Sequence, residues 1–282
     1  MFIFNSQDEL KKHLETISER NIAIGFVPTM GALHQGHLSL IAKSITENEI
    51  TVVSIFVNPT QFNNAEDLEK YPRTLEADVL KIESVSNKVI IFAPSVDDIY
   101  QGNTVSVAFD FDGLENQMEG KHRPGHFNGV GTIVKRLFEI VKPTNAYFGE
   151  KDFQQLQIVK KMVEKANLAV KVIGCPIFRE ANGLAMSSRN ERLSADQREK
   201  AALIYLTLKS AREKFGTETA KEITNHIETV FKNHPEFKLE YFEIADEKQL
   251  LPISKLQEGK KYRGFIAVFV GDIRLIDNIL LN

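Results

Sequence analysis

Two histidines three residues apart, His34 and His37, are the first groups in this chain that could do chemistry. They stand in "GFVPTMGALHQGHLSLI", where a smooth apolar run ends at Pro28 and a helical pattern begins after Gly36. A strand, a glycine-bearing turn and a helix start aim backbone N–H groups and a positive dipole end at an anion. Imidazoles held there can donate to phosphate oxygens as negative charge develops. Taken alone, the pair also reads as two polar groups on a helix N-terminus. A zinc site would need a third ligand, and no partner cluster is visible. "GLENQMEGK" lacks the Walker spacing and a preceding strand, while "GVGTIV" at Gly129 is only a fragment of a dinucleotide fingerprint inside a helical pattern.

Other polar stretches have the same double character. "NPTQF" is a turn, and its Gln61 offers both a donor and an acceptor, which suits a hydroxy acid. "GEKDFQQ" places Lys151 and Asp152 at a helix entry, with Asp152 a candidate N-cap. A lysine there opposes the dipole by ~0.3–1 kcal/mol, a conflict that an anionic ligand would remove. "MSSRN" is either a serine-rich surface loop or an anion clamp of the Ser187 and Ser188 hydroxyls, backbone N–H groups and the Arg189 fork. "EGKHRPGHF" brings Lys121, His122, Arg123 and His126 together, as a solvated basic loop or a reception for an acid. Asp78 reads as a surface carboxylate, with magnesium contact the alternative. Cys175, in an apolar strand with no activating neighbour, reads as packing.

The elements that position these residues follow from periodicity. Strands are expected at 22–27, 50–57, 89–92, 146–148 and 169–175, and helices at 38–48, 75–84, 127–141 and 153–166. Strands alternating with helices argue for a parallel sheet covered on both faces. Ligands then bind beyond the strands' carboxyl ends, where the His, Gln, Lys, Ser and Arg stretches all fall. After about Arg179 two helices, 195–215 and 219–233, precede strand-like runs at 239–245, 265–270 and 273–279, which suggests a smaller α+β domain. The boundary is placed near Pro176, giving domains 1–176 and 177–282.

Bulk composition excludes some classes. The chain has 282 residues, 43% hydrophobic and 26% charged, with a formal net charge of −3. No basic field argues for nucleic acid. One cysteine excludes an intramolecular disulfide. No segment approaches the ~20 apolar residues of a spanning helix, so no membrane association is expected and a reducing cytoplasm is the default.

In order, "PTMGALHQGHLSLI", "SIFVNPTQF", "YPRTLEAD", "RPGHFNGVGTIV", "FGEKDFQQL" and "GLAMSSRN" resemble the motifs of the pantothenate synthetase, or pantoate–β-alanine ligase, family. The resemblance covers essentially the whole chain and is densest up to Leu193. It implies a Rossmann-like, doubly wound α/β domain of the H-x-G-H nucleotidyltransferase kind and a small C-terminal lid domain. ATP and pantoate would first give pantoyl adenylate and pyrophosphate, after which β-alanine would displace AMP. Mg²⁺ would accompany the ATP, and the enzyme would be a cytoplasmic homodimer. Matched by position, Pro28, Thr29, Met30, Gly31, Ala32, Leu33, His34 and His37 fall in or beside the ATP segment, with His37 the proton donor. Gly149, Glu150, Lys151 and Asp152 form the second ATP segment, Lys151 reaching phosphate and Asp152 the ribose. Phe178 stands where backbone contacts adenine, usually on a smaller aliphatic residue. Met186, Ser187, Ser188 and Arg189 match the phosphate loop. Gln61 and Gln155 match the pantoate glutamines, with Gln61 shared by β-alanine. Arg123 lies near the substrates, and Asp78 is the candidate magnesium contact. His34, His37, Lys151 and Arg189 form the implied catalytic set. A nucleotidyltransferase that stops at the nucleotidyl product, or a non-catalytic nucleotide-binding protein, are the competing readings.

Overall fold

The computed structural model describes residues 1–18, 22–253 and 255–282. Strands β1 (Phe2–Phe4), β2 (Ile24–Thr29), β3 (Ile50–Ile55), β4 (Ile90–Phe92), β5 (Asn145–Gly149) and β6 (Lys171–Cys175) form one parallel sheet in the order β1-β4-β3-β2-β5-β6. Alternate strand residues face opposite sides. Phe26, Val52, Phe92 and Phe148 enter one buried cluster, while Val27, Val53, Ile91 and Tyr147 enter another. Three long helices cover the first side, the first being α1 (Gln7–Ser18), through Leu10 and Leu14. On the opposite side α2 (Gln35–Glu47) contributes Leu38 and Ile41. The short helices α3 (Ala65–Glu69), α4 (Leu75–Glu83), α5 (Val96–Tyr100) and α6 (Met118–His122) precede the second helix of the first side, α7 (His126–Val141), whose Val130, Val134, Leu137 and Phe138 repeat at helical spacing. The third is α8 (Phe153–Lys165), which adds Leu156, Val159 and Met162 and is entered through a 3-10 turn at Glu150–Asp152.

Strand order reverses between β2 and β5, which pair at Gly25–Asn145 and Phe26–Ala146. A crevice outside the carboxyl ends of such strands is where open α/β sheets bind ligands. The doubly wound fold expected from the sequence is therefore present.

The C-terminal part adds α9 (Ala195–Lys200), α10 (Ala202–Lys214) and α11 (Ala220–Lys232). An antiparallel sheet follows, of β7 (Phe237–Asp246), β8 (Tyr262–Val270) and β9 (Ile273–Leu280). The helix expected at 195–215 is two, separated at Ala201. One face of the sheet packs on α10 and α11 through Ile223, Ile227, Val268 and Leu275. From the same sheet, Ala245 and Phe265 join the core of the parallel sheet. None of the described helices is long and apolar enough to cross a membrane.

Candidate active site

At the β2–β5 reversal lies a cleft of about 1250 Å³, counting space open to solvent. Pro28, Thr29, Met30, His34, Gly36 and His37 line it from the β2 side. The β5 side supplies Gly149, Lys151, Asp152 and Gln155, and the wall opposite supplies Gln61, Phe178 and Met186–Arg189. The residues singled out in sequence are thus mostly brought together.

The β2–α2 turn is tightly built. Gly31 and Ala32 lie in the left-handed region, at φ 83° and 49°. Buried Asp78 accepts from Ala32 N–H at 2.9 Å and Leu33 N–H at 2.7 Å, while Lys81 Nζ donates to the Leu33 carbonyl at 2.7 Å. This placement corrects the reading of Asp78 as a surface carboxylate. Its carboxylate is fully buried, engaged by backbone, and not part of the cleft lining. Gly31, Ala32 and Leu33 form the turn itself and are not among the residues lining the cleft.

His34 is the N-cap residue of α2. A Cβ on Gly36 would stand 2.9 Å from His34 Cε1 and Nδ1, so the H-x-G-H glycine is what lets this ring fold against the helix start. His34 Nδ1 is buried without a partner. Burial, with Lys151 and Lys81 nearby, lowers the His34 pKa to about 4. His37 is held well below the ordinary imidazole range by burial first, then by His34, Lys151 and Lys81. Its Nδ1 accepts from His34 N–H at 3.3 Å, so the neutral ring carries its proton on Nε2. Both rings, 4.0 Å apart between centroids, are neutral donors near pH 7.

Lys151, 18% exposed, sits on the 3-10 turn with Nζ 3.7 Å from Asp152 Oδ2. Asp152 holds the N-cap position of α8, but its side chain makes no capping bond and is 46% exposed. Glu150 is not in the cleft lining and lies 3.7 Å from Arg263. The neighbouring glutamines divide. Gln154 is buried and spent on Glu119 N–H and the carbonyls of Leu114 and Gln117, whereas Gln155 faces the cleft.

Gln61 accepts from Asn58 Nδ2 at 3.3 Å and donates to Met30 Sδ at 2.8 Å. Its turn lies directly on α7. A Cβ on Gly129 would stand 2.3 Å from the Thr60 carbonyl oxygen and 2.6 Å from Gln61 Cα. The "GVG" glycine is therefore a packing requirement of this turn. Arg123 does not line the main cleft; its Nη1 donates to His126 Nε2 at 3.2 Å. His126 Nδ1 in turn donates to the Gln61 carbonyl at 2.7 Å. Asn58, 1% exposed, and His126, 6% exposed, are supports that the motifs contained but that no pattern marked as such.

The 178–189 wall is ordered from within. Phe178, 42% exposed, accepts from Met186 N–H at 3.0 Å. Fully buried Asn190 donates to Glu180 at 2.7 Å and to the Ala185 carbonyl at 3.1 Å. Ser187 caps the 3-10 helix at Ser188–Arg192, and Arg189 Nη2 donates to Asp67 at 2.9 Å. Among the described residues no group of three or more His, Cys, Asp or Glu could hold a metal ion. Asp152 is the one carboxylate in the cleft lining, so the donor set fits an ion that arrives on an anionic ligand with most of its own waters.

Comparison with known proteins agrees along the full length. The family model for pantoate-beta-alanine ligase matches residues 2–280. Pantothenate synthetase of Flavobacterium psychrophilum is 63% identical over 100% of both chains, and that of Christiangramia forsetii 52% over 100% of both. The crystal structure of pantothenate synthetase from Thermus thermophilus aligns with TM-score 0.91 at 41% identity, covering 100% of this chain and 99% of that one. Pantoate-beta-alanine ligase from Francisella tularensis, complexed with beta-gamma ATP and beta-alanine, aligns with TM-score 0.82 at 39% identity, covering 100% and 98%. This chain belongs to the pantoate–β-alanine ligase family and is a ligase that joins pantoate to β-alanine with ATP as co-substrate.

Proposed function

We propose that the cleft at the β2–β5 reversal carries out this ligation in two steps, through pantoyl adenylate. The observation that carries the reading is the convergence of His34, His37, Lys151 and Arg189 around one cleft with Gln61 and Gln155. In the first step the pantoate carboxylate attacks the α-phosphate of ATP. Two anions must approach, so positioning and positive potential matter more than covalent chemistry.

Neutral His37 donates from Nε2 to phosphate oxygen, and His34 and Lys151 meet the charge that accumulates on the leaving pyrophosphate. Asp152 takes the ribose and the Phe178 backbone the adenine. The Ser187–Arg189 loop closes on the phosphates, for which Arg189 must exchange Asp67 for the anion. Gln61 Nε2 rests on a thioether, a weak acceptor that a pantoate hydroxyl or carboxylate displaces readily. Gln155 supplies the second amide, and Arg123 acts behind Gln61. Mg²⁺ would screen the triphosphate, and Asp152 is the carboxylate that the cleft lining offers it. In the second step the β-alanine amine attacks the acyl carbon and AMP leaves. A closed loop protects the water-labile acyl phosphate until then.

A homodimer and a cytoplasmic location are part of the proposal. For the first, residues 101–108 run exposed along α7, with Val105 and Val107 each 55% exposed and Val107 N–H anchored to Thr132 Oγ1 at 2.8 Å. That leaves an outer edge that a second copy can cover.

The test follows pyrophosphate and AMP separately. With ATP and pantoate alone, about one equivalent of pyrophosphate per site should appear, and AMP only once β-alanine is added. AMP formation that ignores β-alanine would favour a nucleotidyltransferase, and absence of pantoate-dependent turnover would sink the reading.

A further inference from the structure

The C-terminal sheet hydrogen-bonds the backbone of the catalytic turn through Asn278. Asn278, on β9 and 1% exposed, donates from Nδ2 to the carbonyls of Glu150 at 2.9 Å and Lys151 at 2.8 Å. Its amide has one possible orientation, because Oδ1 accepts from Arg263 Nη1 at 2.6 Å. Arg263 is fixed in turn. Its Nε donates to Glu247 at 2.9 Å, and its guanidinium lies 4.0 Å over the ring of Phe153, the first residue of α8. Every hydrogen-bonding group of the Asn278 amide is therefore used, and both donors go to the three-residue turn from which Lys151 extends.

A lysine on a short turn carries a long, mobile side chain, so the reach of its ammonium depends on where the turn is held. Catalytic groups lose effect when displaced by about 1 Å. We propose that Asn278 is a positioning residue for Lys151, which makes the C-terminal sheet a buttress of the active site as well as its cover. The inference rests on the reading of Lys151 as a phosphate-binding group.

A double-mutant cycle separates the two claims. Wild type, Asn278→Ala, Lys151→Ala and the double variant are compared by kcat/KM for ATP in pantoate-dependent pyrophosphate exchange, with thermal unfolding recorded for each. The expected result is a loss of about tenfold or more for Asn278→Ala. In the Lys151→Ala background the same change should cost less than about twofold, since there is no ammonium left to position. A merely structural role would lower both backgrounds by the same factor, and losses that multiply overturn the inference while leaving Lys151 in place. Full activity in Lys151→Ala overturns both. Should Asn278→Ala fail to unfold cooperatively, Asn278→Ser, which keeps one donor in less volume, goes through the same cycle under the same criteria.

Discussion

Replacing Asp78 by Asn separates a structural carboxylate from a metal ligand. The side chain keeps its shape and can still accept one of the two N–H groups it now holds, at 2.9 and 2.7 Å. The other N–H then faces an amide N–H₂ in a site with no solvent access. A hydrogen bond to a charged group contributes about 1.5–3 kcal/mol, and a buried donor left unpaired adds to the loss. The expected destabilisation is about 2–4 kcal/mol, which for a chain of this size lowers Tm by about 5–10 °C. The β2–α2 turn should loosen with it, raising KM for ATP several-fold. Two readings check this: thermal unfolding by circular dichroism, and the Mg²⁺ concentration giving half-maximal initial rate. The argument requires a lowered Tm with an unchanged Mg²⁺ midpoint. An unchanged Tm with a Mg²⁺ midpoint shifted tenfold would show that Asp78 serves the metal and that the buried bonds were misjudged.

Further expectations concern the site and its supports. His37→Ala should lower the rate of adenylate formation by about 10²-fold or more, as loss of a preorganised donor does, and a near-normal single-turnover rate would refute its role. Because His37 is held well below its ordinary range, the adenylation rate should run level from pH 8 to about 6; an inflection near 6.5 would contradict a neutral donor. Gly129→Ala would push a methyl to 2.3 Å from the Thr60 carbonyl oxygen, so KM for pantoate should rise about tenfold while KM for ATP moves less than threefold. Burial, with Arg123 beside it, lowers the His126 pKa from 6.5 to about 4. The unfolded chain takes up that proton first, so stability is complete above about pH 6.5 and declines as pH falls toward 4, by about 3 kcal/mol from this group. Denaturant midpoints at pH 7 and 4.5 measure the decline, and His126→Gln should shrink it.

Much of the site was legible because strand and loop alternate regularly here. Once 22–27 and 146–148 are read as parallel strands, the loops after them must share an edge, and His34 and Lys151 meet there. Strand adjacency was not legible, since nothing local says that β2 lies beside β5. The burial of Asp78 was missed for the same reason: its partners lie 45 and 46 residues away, and a helix carboxylate looks alike whether it faces solvent or holds a turn. Asn278 is separated from its partners by 127 and 128 residues, beyond any periodicity. The short β1, with Phe2 60% exposed, has no sequence period to detect. Gly129 shows the converse case, a motif fragment explained by the backbone packed against it.

The central claim is that ATP and pantoate meet at the β2–β5 reversal. A crystal structure with an unreactive ATP analogue, Mg²⁺ and pantoate tests it most directly. The account predicts the triphosphate between His34, His37 and Lys151, with pantoate held by Gln61 and Gln155 and Arg189 turned from Asp67 to phosphate. A triphosphate bound elsewhere, or pantoate out of reach of both glutamines, would contradict it.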